Sequence, residues 1–383
     1  MKLNRREFIG GASMLASGAL TAAAAPVVVA AAAAGGAGAM RRIATEEAFS
    51  IPEITQALSE LGSQSDSNNL DMILLRTMYA RGAVRSGALT RLNDLYDERL
   101  RIMDEHGVDM HLLSLTAPGV QMFDTETAVS LARLANDRLA EAVARHPTRF
   151  AGLASFAPQD PARAAKEMER ARRELKLHGF VVNSHTNNEY YDDPKFWPIF
   201  EAAEALDGAI YIHPRAPSDQ MADPFRVYNM QSAMWGYGIE TSTHAMRLIM
   251  SGLFDRFPKL KIVLGHMGEG IPYWLWRIDH MSAASVSLGR AKIKLKPSEY
   301  FKRNFLITTS GVEDPLVLRY CIDKLGIDNI MWAIDYPYQP TGPAVKFMNE
   351  APVSEAERAQ LFHRNAERVF HIAPLGDAMA ARS

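Results

Sequence analysis

The segment FAGLASFAPQDPARAAKEMERARRELKLHGFVVNSH, residues 150–185, contains two apolar runs on either side of a charged stretch. The runs Phe150–Phe156 and Gly179–His185 are short and rich in apolar residues, which is typical of buried strands. The stretch Pro161–Leu177 has the spacing of an amphipathic helix, and its first residue is a proline, which costs little at that position. This order of strand, helix and strand predicts a βαβ unit with parallel strands.

The same alternation continues along the whole chain from Arg41. The predicted strands are Arg42–Phe49, Val108–Thr116, Phe150–Phe156, Gly179–His185, Ala209–His213, Lys261–His266, Phe305–Ser310 and Ile330–Asp335. The predicted helices are Leu92–Glu105, Thr125–His146, Pro161–Leu177, Lys195–Leu206, Ile239–Phe257, Ile271–Ala283, Asp314–Leu325 and Ser354–Phe370. Eight strands with helices between them predict an α/β fold, a closed (β/α)8 TIM barrel.

Two long connections interrupt this alternation. The stretch Ile51–Leu89, after the first strand, is long and contains Ser, Asn and Gly residues, so we predict a lid over the barrel mouth. The insertion Ala216–Trp235, after the fifth strand, carries Met221, Phe225, Tyr228, Met230 and Trp235. These side chains either wall an aromatic substrate pocket or pack the insertion onto the barrel, and the sequence leaves both interpretations open.

The composition excludes several classes of function. Of 383 residues, 48% are hydrophobic and 22% charged, which is ordinary for a globular protein with a large core. The net charge of -2 and the absence of a basic block give no reason to expect a nucleic-acid partner. Cys321 is the single cysteine, so an internal disulfide and a multi-cysteine metal site are excluded. Any metal must therefore be held by histidines and carboxylates.

The N-terminus has the pattern of an export signal. Residues Asn4–Ile9 place two adjacent arginines before a Gly- and Ala-rich run, as in twin-arginine signals. An uncleaved membrane anchor is the alternative, but the run is poor in Leu and is broken by Pro26. We predict a signal peptide with its linker at 1–39, a barrel at 40–375 and a C-terminal tail at 376–383. The mature protein is expected in the periplasm, or otherwise exported, without stable membrane association.

Polar side chains stand where the predicted strands end. They are Glu46 and Glu47 on the first strand, His185 on the fourth, His213 on the fifth, His266 on the sixth and Asp335 on the eighth. Because the loops after the strands converge at one mouth of a barrel, we expect these side chains to meet there. Imidazole nitrogens and carboxylate oxygens suit Zn, Mn or Fe, so we predict one divalent metal ion on Glu46, His213 and Asp335.

Two further residues at this mouth have different predicted roles. Successive residues of a strand point to opposite faces, so at most one of Glu46 and Glu47 faces the lumen, and Glu47 is predicted to contact a helix outside. His266 has glycines close on either side, which let a ligand approach and favour contact with a substrate. The alternative for His266 is a structural hydrogen bond to Glu269.

Several motifs of the chain match one known family. They are IATEEAF at 43–49, VNSHT at 182–186, YIHP at 211–214, GHMGE at 265–269 with PYWL at 272–275, and AIDYPYQ at 333–339. Together they resemble the decarboxylase branch of the amidohydrolase superfamily, and within it the 5-carboxyvanillate decarboxylases most of all. The resemblance extends from Arg41 to about Phe370.

The resemblance implies roles for individual residues. The metal ligands it implies are Glu46, His213 and Asp335, with Mn as the first choice of metal and Zn as the next. The substrate contacts that we predict are Tyr79, His185, His266 and Arg277, of which His266 and Arg277 match directly. Ala48 stands where most of the superfamily has a second ligand, which leaves a metal position open for a bidentate substrate. Relatives of this kind are commonly dimers or larger, so a homo-oligomer is expected.

Three features depart from the family pattern. In the predicted lid, Arg81 and Arg85 flank the place of an expected arginine, and Ser86 occupies it, which leaves the identity of the substrate open. After His185, the run Asn187–Glu189 places a negative charge near the mouth, where a basic residue would suit a dicarboxylate better. The export signal is the third departure, since such decarboxylases usually work in the cytoplasm.

The favoured function is a metal-dependent carboxy-lyase, a non-oxidative decarboxylase in aromatic compound degradation. It would act on a small hydroxylated aromatic acid of the 5-carboxyvanillate or 2-hydroxybenzoate type, with Asp335 protonating the ring carbon and His266 stabilising charge on substrate oxygens. The alternative is a hydrolase of a lactone, amide or ester that uses a metal-bound hydroxide. A binding protein without catalysis is a third possibility, which the intact polar set disfavours.

Overall fold

The computed structural model describes residues 40–79 and 86–374, and it contains one sheet of eight parallel strands in the order β1 to β8. The strands are β1 Ile43–Phe49, β2 Met110–Leu115, β3 Phe150–Ser155, β4 Gly179–Asn183, β5 Ile210–His213, β6 Ile262–Leu264, β7 Phe305–Thr308 and β8 Ile330–Met331. The chain after β8 returns to β1, where Thr45 N donates to Trp332 O at 3.2 Å and Ala48 N to Tyr336 O at 2.8 Å. The predicted TIM barrel is confirmed.

Helices separate successive strands. They are α1 Pro52–Gln64, α2 Leu70–Tyr79, α3 Ser86–Asn93, α4 Glu98–His106, α5 Thr125–Arg145, α6 Pro161–Arg173, α7 Trp197–Ala205, α8 Asp223–Arg226, α9 Gly236–Met250, α10 Leu253–Arg256, α11 His266–Glu269, α12 Ile271–Ser287, α13 Pro297–Asn304, α14 Pro315–Leu325, α15 Thr341–Glu350, α16 Glu355–Ala359 and α17 Asn365–Phe370. Short 3-10 turns lie at Pro194–Phe196, Val227–Asn229 and Ile327–Asn329, and a π turn at Gln360–Arg364. Caps fix several helix starts, as where the Asp124 side chain accepts from Glu126 N and Thr127 N.

Every predicted strand is present, but six of the eight end earlier than predicted. Three of them, β4, β6 and β8, end one, two and four residues before Ser184, His266 and Asp335, whose φ values are 33°, 48° and 78°. Non-glycine residues in this left-handed region cannot continue a strand. The extended backbone therefore does not pass these residues, and the side chains there are redirected at the barrel mouth.

The end of the barrel opposite the polar residues is filled by apolar side chains. The cluster consists of side chains from the strands together with two from the last helix, α17. They are Ile43, Met110, Leu112, Leu153, Val181, Val263, Leu306, Met331, Val369 and Phe370. All are buried. A solid apolar filling closes one end of the barrel, so the polar groups have access only from the mouth.

The first predicted insertion is largely helical, whereas the second consists mostly of turns, with α8 and one 3-10 turn. The stretch predicted as a lid contains α1, α2 and the start of α3, and its residues 80–85 lie outside the described residues, as do the predicted signal peptide and residues 375–383. In the second insertion the backbone is kinked at Tyr228 and Asn229, which both have positive φ. Within the described ranges, no helix combines the length and the apolarity needed to cross a membrane.

Candidate metal centre

A register irregularity in β1 decides which carboxylate faces the lumen. The pairing of β1 with β2 shifts between Ala44 and Glu47, as at a β-bulge. If side chains alternated strictly from Ile43, which faces the lumen, Glu47 would face the lumen too. The shift in pairing exchanges the inward and outward positions that follow it. Glu46 thus faces the lumen and Glu47 the opposite side, as predicted for this pair, and both are buried.

Glu46 has one satisfied and one unsatisfied oxygen. Its Oε2 accepts hydrogen bonds from Thr308 Oγ1 at 2.9 Å and from the hydroxyls of Tyr211 and Ser310. Its Oε1 is buried and has no hydrogen-bond partner among the described residues. A buried carboxylate oxygen without a partner is costly, so its environment calls for a cation.

Two imidazoles lie near this oxygen at distances too long for hydrogen bonds, and the Asp335 carboxylate lies beside one of them. Oε1 lies 3.8 Å from His213 Nε2 and 3.9 Å from His266 Nε2, and Asp335 Oδ2 lies 3.8 Å from His266 Nε2. Two ligands at about 2.1 Å from one ion are separated by roughly 3.0 to 4.2 Å, depending on the angle between them. The separations therefore fit a shared divalent ion.

Glu46, His266 and Asp335 form the tightest group, because one ligand atom of each lies within 4.8 Å of the others. The sequence predicts His213, and not His266, as the histidine ligand. The two Nε2 atoms lie at nearly the same distance from Glu46 Oε1. The structure thus brings Glu46, His266 and Asp335 within ligand distance of one another and places His213 beside Glu46, outside that group of three.

Hydrogen bonds fix the orientation of both imidazoles. His213 Nδ1 lies 2.8 Å from its neighbour's carbonyl oxygen, Pro214 O, and His266 Nδ1 lies 2.8 Å from Glu269 Oε1. Each Nε2 is thereby directed at the centre, a common arrangement for imidazole ligands. The sequence left open whether His266 only forms a structural hydrogen bond to Glu269. The structure shows that this bond uses Nδ1, while Nε2 of the same ring faces the site. Gly265 is required beside it, since a Cβ there would lie 2.7 Å from Glu46 Oε1.

The charges at this centre perturb one another. Burial raises the pKa of Asp335, and the nearby Glu46 charge raises it further, although His266 opposes both. Burial would also raise the pKa of Glu46, but the two histidines and the hydroxyl donors outweigh it and lower that pKa. Burial acts to lower the pKa of His266, yet Glu269 and Glu46 raise it well above its usual value. Two buried carboxylates beside imidazoles form a site that a divalent cation would stabilise.

The centre lies at the bottom of a cavity of about 370 Å³, a volume suited to one small aromatic molecule. His213, His266 and Asp335 line its floor. Leu74 and Met78 of α2 line the wall above, so the stretch predicted as a lid contributes to the cavity. The remaining wall includes Arg91, Thr116, Tyr237 and Tyr338.

The other predicted substrate contacts lie elsewhere. The described residues that line the cavity do not include Tyr79, His185 or Arg277. His185 is buried, and its Nε2 lies 3.1 Å from Ala216 O. Arg277 is exposed on α12. Arg81 and Arg85 lie outside the described residues.

The structure decides between two interpretations of the second insertion that the sequence leaves open. The aromatic residues of this insertion are not among the described residues that line the cavity, and Tyr228 and Trp235 are 86% and 57% exposed. The insertion contributes Ser232 and Ala233 instead. For Glu47, predicted to contact a helix outside, the structure adds hydrogen bonds: its oxygens accept from the amides of Ile334 and Tyr336, each at 3.0 Å, and the charge of Arg99 on α4 acts on it as well.

Sequence reasoning missed the donors to Glu46. Tyr211 precedes His213 by two residues on the same strand and therefore shares its face, and Thr308 and Ser310 alternate in the same way at the end of β7. That spacing was a usable signal. Arg91 had none, since its place on the cavity wall depends on how α3 packs over the mouth.

Comparison with known proteins identifies the family. A family model described as amidohydrolase matches residues 74–372. The chain belongs to the amidohydrolase family. Over 294 residues it is 42% identical to a gamma-resorcylate decarboxylase of a Polaromonas species, an alignment covering 74% of this chain and 89% of that protein.

Solved structures of relatives share the architecture of this amidohydrolase. The 5-carboxyvanillate decarboxylase of Sphingomonas paucimobilis is 60% identical with a TM-score of 0.86, covering 88% of this chain and 100% of that one. The 5-carboxyvanillate decarboxylase of Novosphingobium aromaticivorans, solved with manganese and 4-hydroxy-3-methoxy-5-nitrobenzoic acid, is 40% identical with a TM-score of 0.84, covering 87% and 96%. The resemblance inferred from the motifs, to the decarboxylase branch of the superfamily, is confirmed.

Proposed function

We propose that this amidohydrolase is a manganese-dependent, non-oxidative decarboxylase of an aromatic acid with a hydroxyl group beside the departing carboxylate, of the 5-carboxyvanillate type. The observation that carries the proposal is the buried Glu46 Oε1, unpartnered among the described residues and facing two imidazoles at the floor of a cavity for one small molecule. Decarboxylases of aromatic acids among its relatives, with manganese in one of them, support it.

The residues of the chain have distinct parts in this reaction. Glu46, His213 and Asp335 would hold the ion, which when bound draws substrate oxygens to the floor and stabilises their negative charge. His266 Nε2 would contact a substrate oxygen there. Arg91, on the cavity wall, carries a guanidinium suited to a second acid group of the substrate.

Asp335 is proposed as the proton donor. Its carboxyl group would transfer a proton to the ring carbon that bears the carboxylate, and the ring would briefly lose aromaticity. The bond from that carbon to the carboxylate then breaks, its electron pair returns to the ring, and carbon dioxide leaves. Burial, which raises the pKa of Asp335, favours the protonated carboxyl group that this step needs.

The test is product analysis with the manganese-loaded protein. 5-Carboxyvanillate, 2,6-dihydroxybenzoate and 2-hydroxybenzoate would be incubated separately, with carbon dioxide and the aromatic product quantified. Release of one carbon dioxide per decarboxylated product is expected for at least one of these acids. No turnover of any of them, together with hydrolysis of a lactone or ester panel, would favour the hydrolase alternative instead.

We propose further that the chain is exported through the twin-arginine route. The support is the pair Arg5 and Arg6 ahead of the Gly- and Ala-rich run. Fractionation of cells that express the full chain should find the mature protein in the periplasm. The double substitution Arg5→Lys and Arg6→Lys should leave the full-length protein inside the cell, whereas equal export of both would contradict the proposal.

A homo-oligomer is the last part of the proposed function. One surface of α12 and α14 exposes Tyr273, Trp274, Trp276 and Leu316, at 72%, 52%, 70% and 79%. Contiguous exposed aromatic residues are typical of protein interfaces. Arg277 lies on the same helix, so packing of two copies there would bring it toward the second copy. Mass measurement in solution should give a dimer or larger, and Trp276→Glu should weaken it.

A further inference from the structure

Glu47 is a fully buried carboxylate on the side of β1 that faces away from the lumen. Its Oε1 accepts a hydrogen bond from Ile334 N and its Oε2 accepts one from Tyr336 N, each at 3.0 Å. These two amides belong to the residues immediately before and after Asp335. One carboxylate thus binds the backbone on both sides of the residue that we propose as proton donor and metal ligand.

The backbone between these two amides is in an unfavourable conformation. Asp335 has φ +78°, where side chains other than glycine are rarely found. Such a conformation persists only when surrounding contacts enforce it. Without it the chain would continue as an extended strand, and the Asp335 side chain would point in another direction.

Other contacts on the outer side of β1 support the same loop. Ala48 N donates to Tyr336 O at 2.8 Å, beside the bond from Tyr336 to Glu47. Arg99 is fully buried, donates from Nη2 to Ala48 O at 2.7 Å, and lies 4.6 Å from the centroid of the Tyr336 ring. Burial raises the pKa of Glu47 to about 8, and the amides of Ile334 and Tyr336 and, more weakly, the charge of Arg99 act in the opposite direction.

We propose that Glu47 is a positioning residue for Asp335: by binding the amides of Ile334 and Tyr336 together, it holds Asp335 in the conformation that directs its carboxylate to the metal centre. Glu47 itself lies outside the cavity lining of the described residues, and both of its oxygens are bound to backbone amides. The inference rests on the proposed metal centre, and it adds to it a role for the second glutamate of the motif.

The test compares two substitutions of Glu47. Glu47→Gln keeps the length of the side chain but turns one acceptor into an N–H donor that faces a backbone N–H. Glu47→Asp keeps two acceptors but shortens their reach, so it cannot bind both amides at once. In calorimetric titrations of the metal-free proteins with MnCl2, each variant should bind manganese roughly 10- to 100-fold more weakly than the wild type, the range found when partners of metal ligands are removed.

Glu240 offers the matched control. It is also fully buried near the mouth, and its carboxylate accepts from Ser218 N at 3.2 Å and from the Tyr190 hydroxyl at 2.8 Å. Its partners are remote from Asp335 in the chain. Glu240→Gln should lower the denaturation midpoint, as any loss from a buried network does, but should leave the manganese Kd within about twofold of the wild type.

The outcomes separate this inference from the proposed function. If the wild-type protein binds no manganese, the proposed metal centre is wrong. If the wild type binds it and both Glu47 variants bind it equally well, the centre stands and the positioning role is overturned. Equal weakening by Glu240→Gln would also overturn it, since the effect would then be a general one of burial. Should Glu47→Gln fail to fold, the titration of Glu47→Asp decides.

Discussion

Glu46 and Glu47 are adjacent carboxylates on one strand, and both are buried, but the regions they face differ. On the lumen side, Glu46 keeps one oxygen without a partner among the described residues, opposite two imidazoles. On the outer side, both oxygens of Glu47 accept backbone hydrogen bonds. The difference teaches that burial alone does not identify a functional carboxylate. A buried oxygen left unsatisfied beside other potential ligands identifies the lumen region as a site and the outer region as its support.

The comparison predicts that a lumen substitution removes activity without loss of stability. Asp335→Asn should lower kcat on the order of 10²- to 10⁴-fold at saturating manganese, because the amide cannot donate the proton. The metal-free variant should unfold at the same or a higher denaturant concentration, since a charge near Glu46 is removed from a buried place where burial and Glu46 raise its pKa. Turnover within about tenfold of the wild type would contradict the assignment.

A substitution in a buried ion pair away from the metal centre should lower stability and leave metal binding unchanged. Arg215 and Asp71 form an ion pair at 2.6 Å with both side chains 2% exposed, joining α2 to the loop after β5. Asp71→Asn leaves the Arg215 guanidinium buried without its charge partner, so the free energy of unfolding should fall by about 3–5 kcal/mol. Equilibrium denaturation of the metal-free protein measures it, with manganese affinity expected to stay unchanged.

The control for this prediction is an ion pair at the surface. Arg226 and Asp223 lie 3.3 Å apart, and the aspartate side chain is 96% exposed. Solvent screens such a pair, so Asp223→Asn should leave the denaturation curve unchanged. If both substitutions have the same small effect, the pair between Asp71 and Arg215 does not tie α2 to the barrel in the way that its burial indicates.

The two imidazoles of the lumen can be separated by their effects. His213→Ala should weaken manganese binding by more than about tenfold, because it removes a proposed ligand. His266→Ala should keep most of that affinity and lower kcat instead, because His266 is proposed to contact the substrate. Manganese titration and turnover at saturating metal distinguish the two. The opposite result would make His266 the ligand, as its distance of 3.8 Å to Asp335 permits.

The barrel was readable from the sequence because its strands are buried on both faces. Such strands form continuous apolar runs, as in Phe150–Ser155, and the charged helices between them have a different periodicity. The position of active-site residues at the ends of strands then follows from the fold class alone. For this reason Glu46, His213, His266 and Asp335 could be expected at one place before any geometry was known.

What could not be read depends on tertiary packing. The left-handed backbone at Asp335 and His266 has no local signature, since neither residue is a glycine. The β-bulge that turns Glu46 inward has no local signature either, because simple alternation from Ile43 would turn Glu47 inward instead. The hydrogen bonds of Glu47 join residues nearly 300 positions apart. Their existence depends on the closure of the barrel, which a local pattern does not encode.

The smallest expected effect is a loss of stability at low pH that is due to the buried imidazole of His244. His244 is fully buried on α9, where its Nε2 accepts from Tyr191 N at 3.1 Å and its Nδ1 lies 3.1 Å from Ser184 Oγ. Burial, with a smaller effect of Arg247, lowers its pKa to about 3. In the unfolded chain a histidine titrates near about 6.5. As the pH falls below that value, the unfolded state gains a proton that the folded state does not, so stability is lost.

The loss amounts to about 1.4 kcal/mol per pH unit in this window, or roughly 2 kcal/mol between pH 7 and pH 5. His185, whose burial lowers its pKa to about 2, contributes in the same direction. His244→Gln isolates the contribution of His244, because its amide oxygen can accept from Tyr191 N as Nε2 does and the amide does not titrate. Urea denaturation at the two pH values should show a smaller loss in the variant than in the wild type. Equal losses in the two proteins would mean that His244 takes up its proton in the folded state as readily as in the unfolded state. The surroundings of His244 would then accommodate a positive charge, as the metal centre does at His266.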